Sequence, residues 1–248
     1  MKTARFIADG RVHRGRLEGD VLVDEAGRAH AASAVTWLPP VAPSKIVGFV
    51  LTYRGHATEL GLAAPAEPAP FFKPPGSVVG HLGAVVHPRG VEFMHYEAEL
   101  AVVIGRRARR LRPEAVPDAV RGYTIANDVT VRDFITNTFR PPVKAKGWDT
   151  FCPLGPVVVE GEVADPHRLG LRAYVNGELR QQGTTADLAH SVWELVAFLS
   201  EFMTLEPDDV ILTGTPPGIS PVRPGDLMRV EIDGLGALEN PVVEEAGG

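Results

Sequence analysis

Two glutamates stand one residue apart in the segment HYEAEL, which continues as the apolar run AVVIG. Side chains alternate along a strand, so we predict that Glu97 and Glu99 point to the same side. Neighbouring carboxylates repel each other when they are buried, and a hard divalent cation with oxygen ligands relieves that repulsion. The spacing therefore predicts a metal site, although Glu-x-Glu on a strand also fits the solvent face of a sheet.

A histidine and a glutamate form a second candidate pair in the segment TYRGHATELG. His56 and Glu59 are three residues apart, so they would touch on one helical turn. A carboxylate beside an imidazole orients the ring and fixes its tautomer, as a general base requires. The same spacing also fits an exposed polar turn.

The segment GYTIANDVTVRDF contains a third candidate. Asp128 follows a predicted buried strand, and the end of a strand is a natural position for a ligand carboxylate. Arg132 lies four residues later and fits either an ion pair with Asp128 or a bidentate contact with a substrate carboxylate. Asn-Asp at the end of a strand also forms turns and helix caps.

Two further segments have both a chemical and a structural interpretation. Lys146, in KAKGWDTFCPLGP, fits either a solvated surface charge or a cation that stabilises a substrate carboxylate or a developing enolate. The loop TGTPPG, residues 213–218, could present backbone N–H groups to an anion. Its glycines and prolines explain it equally well as a turn.

Composition and charge exclude several classes of protein. The 248 residues include 25 basic and 31 acidic side chains, a net charge of −6, and no basic block. We therefore expect neither nucleic acid nor an anionic membrane as a partner. The single cysteine, Cys152, excludes an internal disulfide, and the first residues lack an apolar signal segment. A cytoplasmic location is the expectation.

The beginning of the chain predicts a small β unit. The alternating stretches ARFIA, RVHRGRLEG and DVLVDEAG are separated by turn signals up to about Val35. A proline-rich segment, WLPPVAPSK, follows them and is typical of a linker. We predict a small N-terminal β domain with its linker over residues 1–42 and a second domain over residues 43–248.

The rest of the chain predicts many strands and few helices. Asn176-Gly177 between two apolar stretches is a strong signal for a type I′ hairpin. One long helix is predicted to begin at Ser191, which forms a capping box with Glu194 and is followed by an apolar stripe that ends at Phe202. This pattern favours an α+β, β-rich fold with mixed strand pairing over a doubly wound sheet.

The motifs also occur in the order of a known family. They are FFKP, HYEAELAVVIG, GYTIANDVTVRD, KGWDTFCPLGP, VNGELRQQGTTADL, FMTLEPDDVILTGTPPG and PGDLMRVEIDGLGALENPV. From about Lys45 to Val243 the sequence resembles the fumarylacetoacetate hydrolase superfamily. LRQQGTTADL followed by LSEFMTL is most similar to its decarboxylase and isomerase branch in homoprotocatechuate (4-hydroxyphenylacetate) catabolism.

The resemblance implies a role for each candidate residue. It implies Mg²⁺ or Mn²⁺ as the cofactor, with the ligands Glu97, Glu99 and Asp128. It implies a catalytic group of His56, Glu59 and Lys146. It implies substrate contacts by Arg132, Thr215 and Tyr53. One position departs from the family, because relatives usually carry asparagine where this chain has Thr52.

The resemblance further implies a mixed β-roll with a small N-terminal unit, assembled as a homodimer. The implied substrate is a small unsaturated 2-oxo acid, which is decarboxylated or isomerised through a metal-stabilised enolate. Hydrolysis of an acylpyruvate or fumarylacetoacetate and decarboxylation of oxaloacetate are alternatives, and an acyl-side pocket formed by Phe71, Phe72 and Trp148 would decide between them. A non-catalytic binder would be expected to lack one of the five ligand and dyad residues, and all five are present.

Overall fold

The computed structural model describes residues 1–135 and 141–247, and over these residues β-strands predominate. The strands are β1 (Lys2–Ala8), β2 (Arg11–Glu18), β3 (Val21–Asp24), β4 (Ala29–Ala31), β5 (Thr36–Leu38), β6 (Ile46–Val50), β7 (Ala69–Lys73), β8 (Val78–Val79), β9 (Val85–His87), β10 (Met94–His95), β11 (Ala98–Ile104), β12 (Val120–Asn127), β13 (Thr130–Val131), β14 (Cys152–Val159), β15 (Gly170–Val175), β16 (Glu178–Thr184), β17 (Val210–Leu212), β18 (Leu227–Ile232) and β19 (Gly236–Glu244). The α-helices are α1 (Arg54–Glu59), α2 (Val143–Lys146) and α3 (Val192–Phe202). The predicted β-rich α+β fold is confirmed.

The strands form one large sheet, one smaller sheet and a separate two-stranded sheet. The large sheet has the order β4-β3-β2-β1-β14-β12-β11-β17-β6-β7, with β5 added beside β1 and β8 beside β14. The smaller sheet has the order β16-β15-β18-β19-β9, and β10 pairs with β13. Most pairs are antiparallel, whereas β17 with β6, β14 with β8 and β19 with β9 are parallel. The mixed pairing of a β-roll is therefore present.

Strand β11 lies in the interior of the large sheet, and all of its residues are buried. Leu100 and Val102 pack into the larger hydrophobic core, while Ala101 and Val103 pack into a second core on the opposite face. A strand that is buried on both faces is typically a nearly continuous apolar run, and Glu99 is the charged exception in β11. Burial on both faces explains the run AVVI. The position of this buried strand also determines where the residues just before the run lie.

The N-terminal strands extend the large sheet through β1, which pairs antiparallel with β14. Thr3 is opposite Val158, and on its other edge β1 pairs with β2 over six residue pairs. The division into domains at residue 42 stays a prediction.

Local sequence signals gave the hairpin and the long helix correctly. Asn176 and Gly177 both have positive φ, 52° and 81°, and connect β15 to β16. Ser191 caps α3, with both hydrogen bonds of the capping box to Glu194 present. The end of the apolar stripe was predicted wrongly. Phe202 is exposed because it lies at the edge of the stripe in the last turn, where it packs against Phe198.

None of the helices in residues 1–135 and 141–247 has the length and apolar character needed to cross a membrane.

Candidate active site

Three carboxylates from two neighbouring strands meet at one point. Glu97, Glu99 and Asp128 each place a carboxylate oxygen within 4.8 Å of the others, and all three side chains are buried. Glu97 precedes β11, Glu99 lies on it, and Asp128 follows β12, the antiparallel partner of β11. The sheet register therefore brings together residues from separate segments, as the sequence predicted, and the solvent-face alternative is wrong.

Backbone hydrogen bonds hold these strand ends in place. The N–H of Asp128 donates to the carbonyl of Glu97 at 2.9 Å. The N–H of Glu97 in turn donates to Oδ1 of Asn127, also at 2.9 Å. Asn127 thus fixes the position from which the first glutamate reaches the cluster.

Lys146 lies inside the acidic cluster and is buried. Its Nζ donates to Glu97 Oε2 at 2.9 Å, to Asp128 Oδ2 at 2.5 Å and to Thr130 Oγ1 at 2.8 Å. Burial lowers the pKa of Lys146, but Asp128 and Glu97 raise it more, so the net pKa is above its usual value. The ammonium group is therefore charged, and the interpretation of Lys146 as a solvated surface charge is wrong.

A second buried lysine, Lys73, was not identified from the sequence. Its Nζ donates to Asp128 Oδ1 at 2.6 Å and to the carbonyl of Lys146. Phe71 and Lys73 both face the interior from β7, whereas the residues between and before them are exposed or half-buried. The alternation of buried and exposed residues along β7, which places a lysine on the buried face, is the sequence signal that could have identified Lys73.

Arg132 binds one of the glutamates. Its Nη2 donates to Glu97 Oε1, so the predicted pairing with Asp128 is wrong. Its Nε is buried and has no hydrogen-bond partner in the part of the chain that the structure describes. Contact of Arg132 with a substrate carboxylate stays a prediction.

The charges in the cluster are distributed unevenly. Burial raises the pKa of Glu97, but Lys146 and Arg132 lower it, and the net pKa is well below its usual value. Burial raises the pKa of Glu99, and Asp128 and Glu97 raise it further, so its net pKa is well above the usual value. Glu97 is thus compensated by cations and Glu99 is not.

The residues fit a hard divalent cation. All three candidate ligands supply carboxylate oxygens, which Mg²⁺ and Mn²⁺ prefer. Over the described ranges no lysine, arginine or histidine forms an ion pair with Glu99, which accepts a hydrogen bond only from the neutral N–H of Gly214, at 2.6 Å. A buried carboxyl group beside two carboxylates either keeps its proton, as the raised pKa of Glu99 favours without a metal, or shares a positive charge, which a metal ion held by the three would supply.

The histidine and glutamate pair lies on α1 in contact with the loop 213–218. His56 Nδ1 is 3.0 Å from Glu59 Oε2, and the His56 side chain is buried, so the exposed-turn alternative is wrong. The other oxygen of Glu59 accepts a hydrogen bond from the N–H of Gly218 at 2.9 Å. Glu59 therefore orients the imidazole and fastens α1 to the loop. The catalytic role of the pair stays a prediction.

The loop 213–218 presents a backbone N–H to an anion, and that anion is a side chain of the protein. Gly214 has φ of +97° and donates to Glu99, and a Cβ at this position would lie 1.8 Å from Thr52 Oγ1. Thr215 Oγ1 donates to the carbonyl of Ala98 at 3.0 Å and accepts from Gln181 Nε2 at 2.7 Å. Its hydroxyl hydrogen is thus already engaged, and its contact with substrate stays a prediction.

The residues that precede α1 connect it to the same loop. Thr52 donates from Oγ1 to the carbonyl of Thr213 at 2.7 Å. Tyr53 is fully buried, and its hydroxyl has no hydrogen-bond partner within residues 1–135 and 141–247. Burial raises the pKa of Tyr53, and Glu99 raises it further, so the hydroxyl stays protonated near the acidic cluster.

The predicted aromatic pocket is wrong in one respect. Phe71 is buried with its ring centroid 5.0 Å from Lys146 Nζ, whereas Phe72 is 54% exposed on the other side of β7. Adjacent strand residues point to opposite faces, so both rings cannot line one pocket. Trp148 lines a separate cavity of about 560 Å³ beside α2, together with Val86, Val143 and Lys144.

Comparison with known proteins agrees with this architecture. Residues 45–243 match the family described as "Fumarylacetoacetate (FAA) hydrolase C-terminal". A protein of Salmonella dublin named 4-hydroxyphenylacetate degradation bifunctional isomerase/decarboxylase is 48% identical over 211 residues, which are 85% of this chain and 49% of that protein. This chain therefore spans about half the length of that curated relative.

Two solved structures are similar over nearly the whole chain. One is 5-carboxymethyl-2-hydroxymuconate delta-isomerase from Mycobacterium smegmatis, with a TM-score of 0.91, 37% identity and coverage of 100% of both chains. The other is maleylpyruvate hydrolase from Sphingobium sp. SYK-6 in complex with manganese(II) and pyruvate, with a TM-score of 0.85, 29% identity and coverage of 99% of this chain and 100% of the other. This protein belongs to the fumarylacetoacetate hydrolase family, a family of enzymes.

Proposed function

We propose that this protein is a divalent-metal-dependent enzyme that decarboxylates or isomerises unsaturated 2-oxo acids in the catabolism of 4-hydroxyphenylacetate or homoprotocatechuate. The observation that carries the proposal is the buried convergence of Glu97, Glu99 and Asp128 close to α1. The names of the Salmonella dublin relative and the Mycobacterium smegmatis isomerase support the substrate class.

The metal would be held by the three carboxylates, as Mg²⁺ or Mn²⁺. When bound, it supplies electrostatic stabilisation of the negative charge that develops on a 2-oxo acid. The manganese and pyruvate in the maleylpyruvate hydrolase structure support both the ion and the 2-oxo acid class.

The side chains of this chain would perform the remaining steps. Lys146 is a fixed positive charge at the cluster and would stabilise a developing enolate without reorganisation. Arg132 would bind a substrate carboxylate through the part of its guanidinium that Glu97 does not use. Tyr53 and Thr215 would border the substrate from the sides of α1 and the loop 213–218.

His56 would move the proton. Glu59 holds its Nδ1, so Nε2 is the ring atom left to exchange a proton with substrate. The hydrogen bond between Glu59 and Gly218 would keep α1 closed over the reacting atoms and exclude water. Decarboxylation and double-bond migration share one enolate, so a single site serves both reactions.

One observation favours a second candidate, hydrolytic cleavage of a carbon–carbon bond. A general base held by a carboxylate can also activate water, and one of the similar structures is a maleylpyruvate hydrolase. The choice between the two depends on whether water or a proton of the substrate lies beside His56.

The test uses the purified protein after chelation and reloading with Mg²⁺. It is incubated separately with 5-oxopent-3-ene-1,2,5-tricarboxylate, acetylpyruvate and oxaloacetate, and CO₂, acetate and pyruvate are measured. We expect CO₂ from the tricarboxylate and no acetate from acetylpyruvate. Release of acetate at a higher kcat/KM than CO₂ would instead establish the hydrolase, and turnover of oxaloacetate alone would establish the simple decarboxylase.

A variant pair tests the dyad. His56→Ala at saturating Mg²⁺ should lower kcat by about 10²–10⁴-fold, the usual contribution of a general acid or base. His87→Ala, in β9 of the smaller sheet, is the matched control and should leave kcat unchanged. Equal activity of the two variants would remove His56 from the mechanism.

The same proposal includes a homodimer in the cytoplasm, with a small 2-oxo acid as its ligand and neither nucleic acid nor membrane as a partner. The net charge of −6 supports the absence of nucleic acid and anionic membrane as partners, and the single buried cysteine supports the cytoplasm. Light scattering coupled to size exclusion would measure the dimer mass, and a monomer at micromolar concentration would contradict it.

A further inference from the structure

A second group of metal-ligating side chains lies in the N-terminal strands, apart from the acidic cluster. It consists of His13 on β2, Asp24 at the end of β3 and His30 on β4. Each offers one ligand atom within 4.8 Å of the others. The histidine side chains are only 10% and 12% exposed, and that of Asp24 is 2% exposed. Antiparallel pairing of β2 with β3 and of β3 with β4 brings them together.

The distances in this group suit a tetrahedral ion. His13 Nδ1 lies 3.4 Å from Asp24 Oδ2, and His30 Nε2 lies 3.2 Å from the same oxygen. Tetrahedral zinc with bonds of about 2.0–2.1 Å keeps its ligand atoms about 3.3–3.4 Å apart. The 3.4 Å separation is long for an N–H···O hydrogen bond.

Partners outside the group already orient two of the three ligands, Asp24 and His13. Oδ1 of Asp24 accepts hydrogen bonds from the N–H groups of Ala26 and Arg28, both at 2.9 Å, which directs Oδ2 towards the histidines. His13 Nε2 is 3.1 Å from the carbonyl of Ala8. A carbonyl only accepts, so Nε2 carries a hydrogen, and Nδ1 is the ring nitrogen that faces Asp24. A backbone carbonyl behind the imidazole is the usual support of a metal-bound histidine.

The guanidinium of Arg28 lies against Asp24 and His13. Its Nε and Nη2 each lie 2.8 Å from Asp24 Oδ2, and Nη2 lies 3.4 Å from His13 Nδ1. The side chain of Arg28 is 56% exposed whereas that of Asp24 is 2% exposed, so Arg28 can rotate into solvent when another cation takes its place on Asp24. A divalent cation would replace the guanidinium of Arg28, a monovalent cation that contacts the group only from its solvent side.

We propose that His13, Asp24 and His30 form a binding site for Zn²⁺ or a similar borderline divalent ion, with Arg28 as the competing cation and water in the fourth position. Two imidazoles and one carboxylate favour such ions over Mg²⁺, whereas the oxygen-only acidic cluster has the opposite preference. The ion links β2, β3 and β4 and stabilises the N-terminal end of the large sheet. This proposal does not depend on the proposed function.

The test is a titration of the chelated protein with Co²⁺ in excess Mg²⁺. Four-coordinate Co²⁺ with imidazole ligands absorbs strongly in the visible range, and six-coordinate Co²⁺ with oxygen ligands absorbs weakly, so the two sites are distinguished. We expect one strongly absorbing ion per chain, displaced by Zn²⁺. An absorption spectrum of weak bands only would overturn the proposal.

Variants test the ligands and the competing arginine. His30→Gln and His13→Gln should each weaken Zn²⁺ binding by at least about tenfold, and the control His87→Gln should not. Arg28→Gln should tighten it, because the competing cation is removed, and thermal unfolding of this variant checks that it stays folded without the ion pair to Asp24. Magnesium-dependent turnover should be the same in all four variants. Equal affinity of Arg28→Gln and the wild type, or of His30→Gln and the wild type, would overturn the proposal.

Discussion

At the scale of single residues, the site is a balance of three buried carboxylates against two buried lysines and one arginine. Lys146 contacts Glu97 and Asp128, and Lys73 contacts Asp128 from the opposite side. Neither lysine contacts Glu99, so a metal ion held there would displace the proton that the raised pKa of Glu99 favours and would supply the positive charge in its place. The lysines therefore set the shape of the site before any ion or substrate binds.

Lys73 should matter for stability as much as for chemistry. Lys73→Met removes the donor to Asp128 Oδ1 and to the carbonyl of Lys146, both inside the protein. Breaking a buried ion pair from one side typically destabilises a protein by about 3–5 kcal/mol. Urea unfolding of the metal-free protein measures the change. Lys144→Met, on the exposed part of α2, is the control and should cost less than about 1 kcal/mol. Equal urea midpoints of Lys73→Met and Lys144→Met would contradict the prediction.

The site residues differ in how well their positions and contacts could be predicted from the sequence. Glu97, Glu99 and Asp128 were predictable because strand alternation and strand ends are local features. Lys73 was missed, and neither interpretation of Arg132 named Glu97 as its partner, because both contacts depend on which distant strand lies opposite. Sequence patterns do not show that β7 and the strand end at Asp128 face each other across the site.

At the scale of elements, α1 and the loop 213–218 act as one unit. Glu59 binds the N–H of Gly218, Thr52 binds the carbonyl of Thr213, and Gly55 faces Pro217. The sequence predicted a helical turn and a separate loop, but it could not predict that a glutamate of one would hold the backbone of the other.

Gly55→Ala should therefore lower turnover. The added Cβ would lie 3.1 Å from Pro217 Cγ, so α1 or the loop must shift by a few tenths of an ångström. A displacement of 1 Å can cost about a hundredfold in rate, so a shift of this size predicts a several-fold loss of kcat. Magnesium affinity, measured by calorimetry, should not change. Thr58→Ala, exposed on the same helix, is the control. Unchanged kcat in Gly55→Ala would show that the contact is not needed for closure.

The capping box of α3 predicts a dependence of stability on pH. Hydrogen bonds from the backbone N–H and the side chain of Ser191 lower the pKa of Glu194. A carboxyl whose pKa is lower in the folded state contributes stability above its unfolded pKa, about 4.3, and loses it as the pH falls through the folded pKa. Thermal unfolding between pH 6 and pH 3 should therefore show a steeper acid loss in the wild type than in Glu194→Gln, whose amide keeps the capping box at every pH. Parallel curves of Tm against pH for the wild type and Glu194→Gln would contradict the prediction.

At the scale of the whole molecule, the strands were more predictable than their order. The hairpin at Asn176-Gly177 and the start of α3 at Ser191 follow from residues close in sequence. The pairs β1 with β14 and β17 with β6 join segments that are more than 150 residues apart. Such pairs are chosen by burial of both partners in a common core, which no short pattern records.

The acidic cluster joins the ends of β11 and β12, so removal of the metal should lower the stability of the whole sheet. Binding of an ion to the folded state alone stabilises by about 2.7 kcal/mol at one hundred times its Kd. Chelation should lower the Tm of the wild type, and added Mg²⁺ or Mn²⁺ should restore it. Glu99→Gln loses one ligand, and its amide replaces a buried carboxyl group whose raised pKa already favours the neutral form, so its metal-free form should be about as stable as the metal-free wild type and should gain nothing from Mg²⁺. Glu178→Gln, exposed on β16, should respond as the wild type does. An equal rise of Tm with Mg²⁺ in Glu99→Gln and in the wild type would place the ion elsewhere and remove the reason for the convergence of these carboxylates.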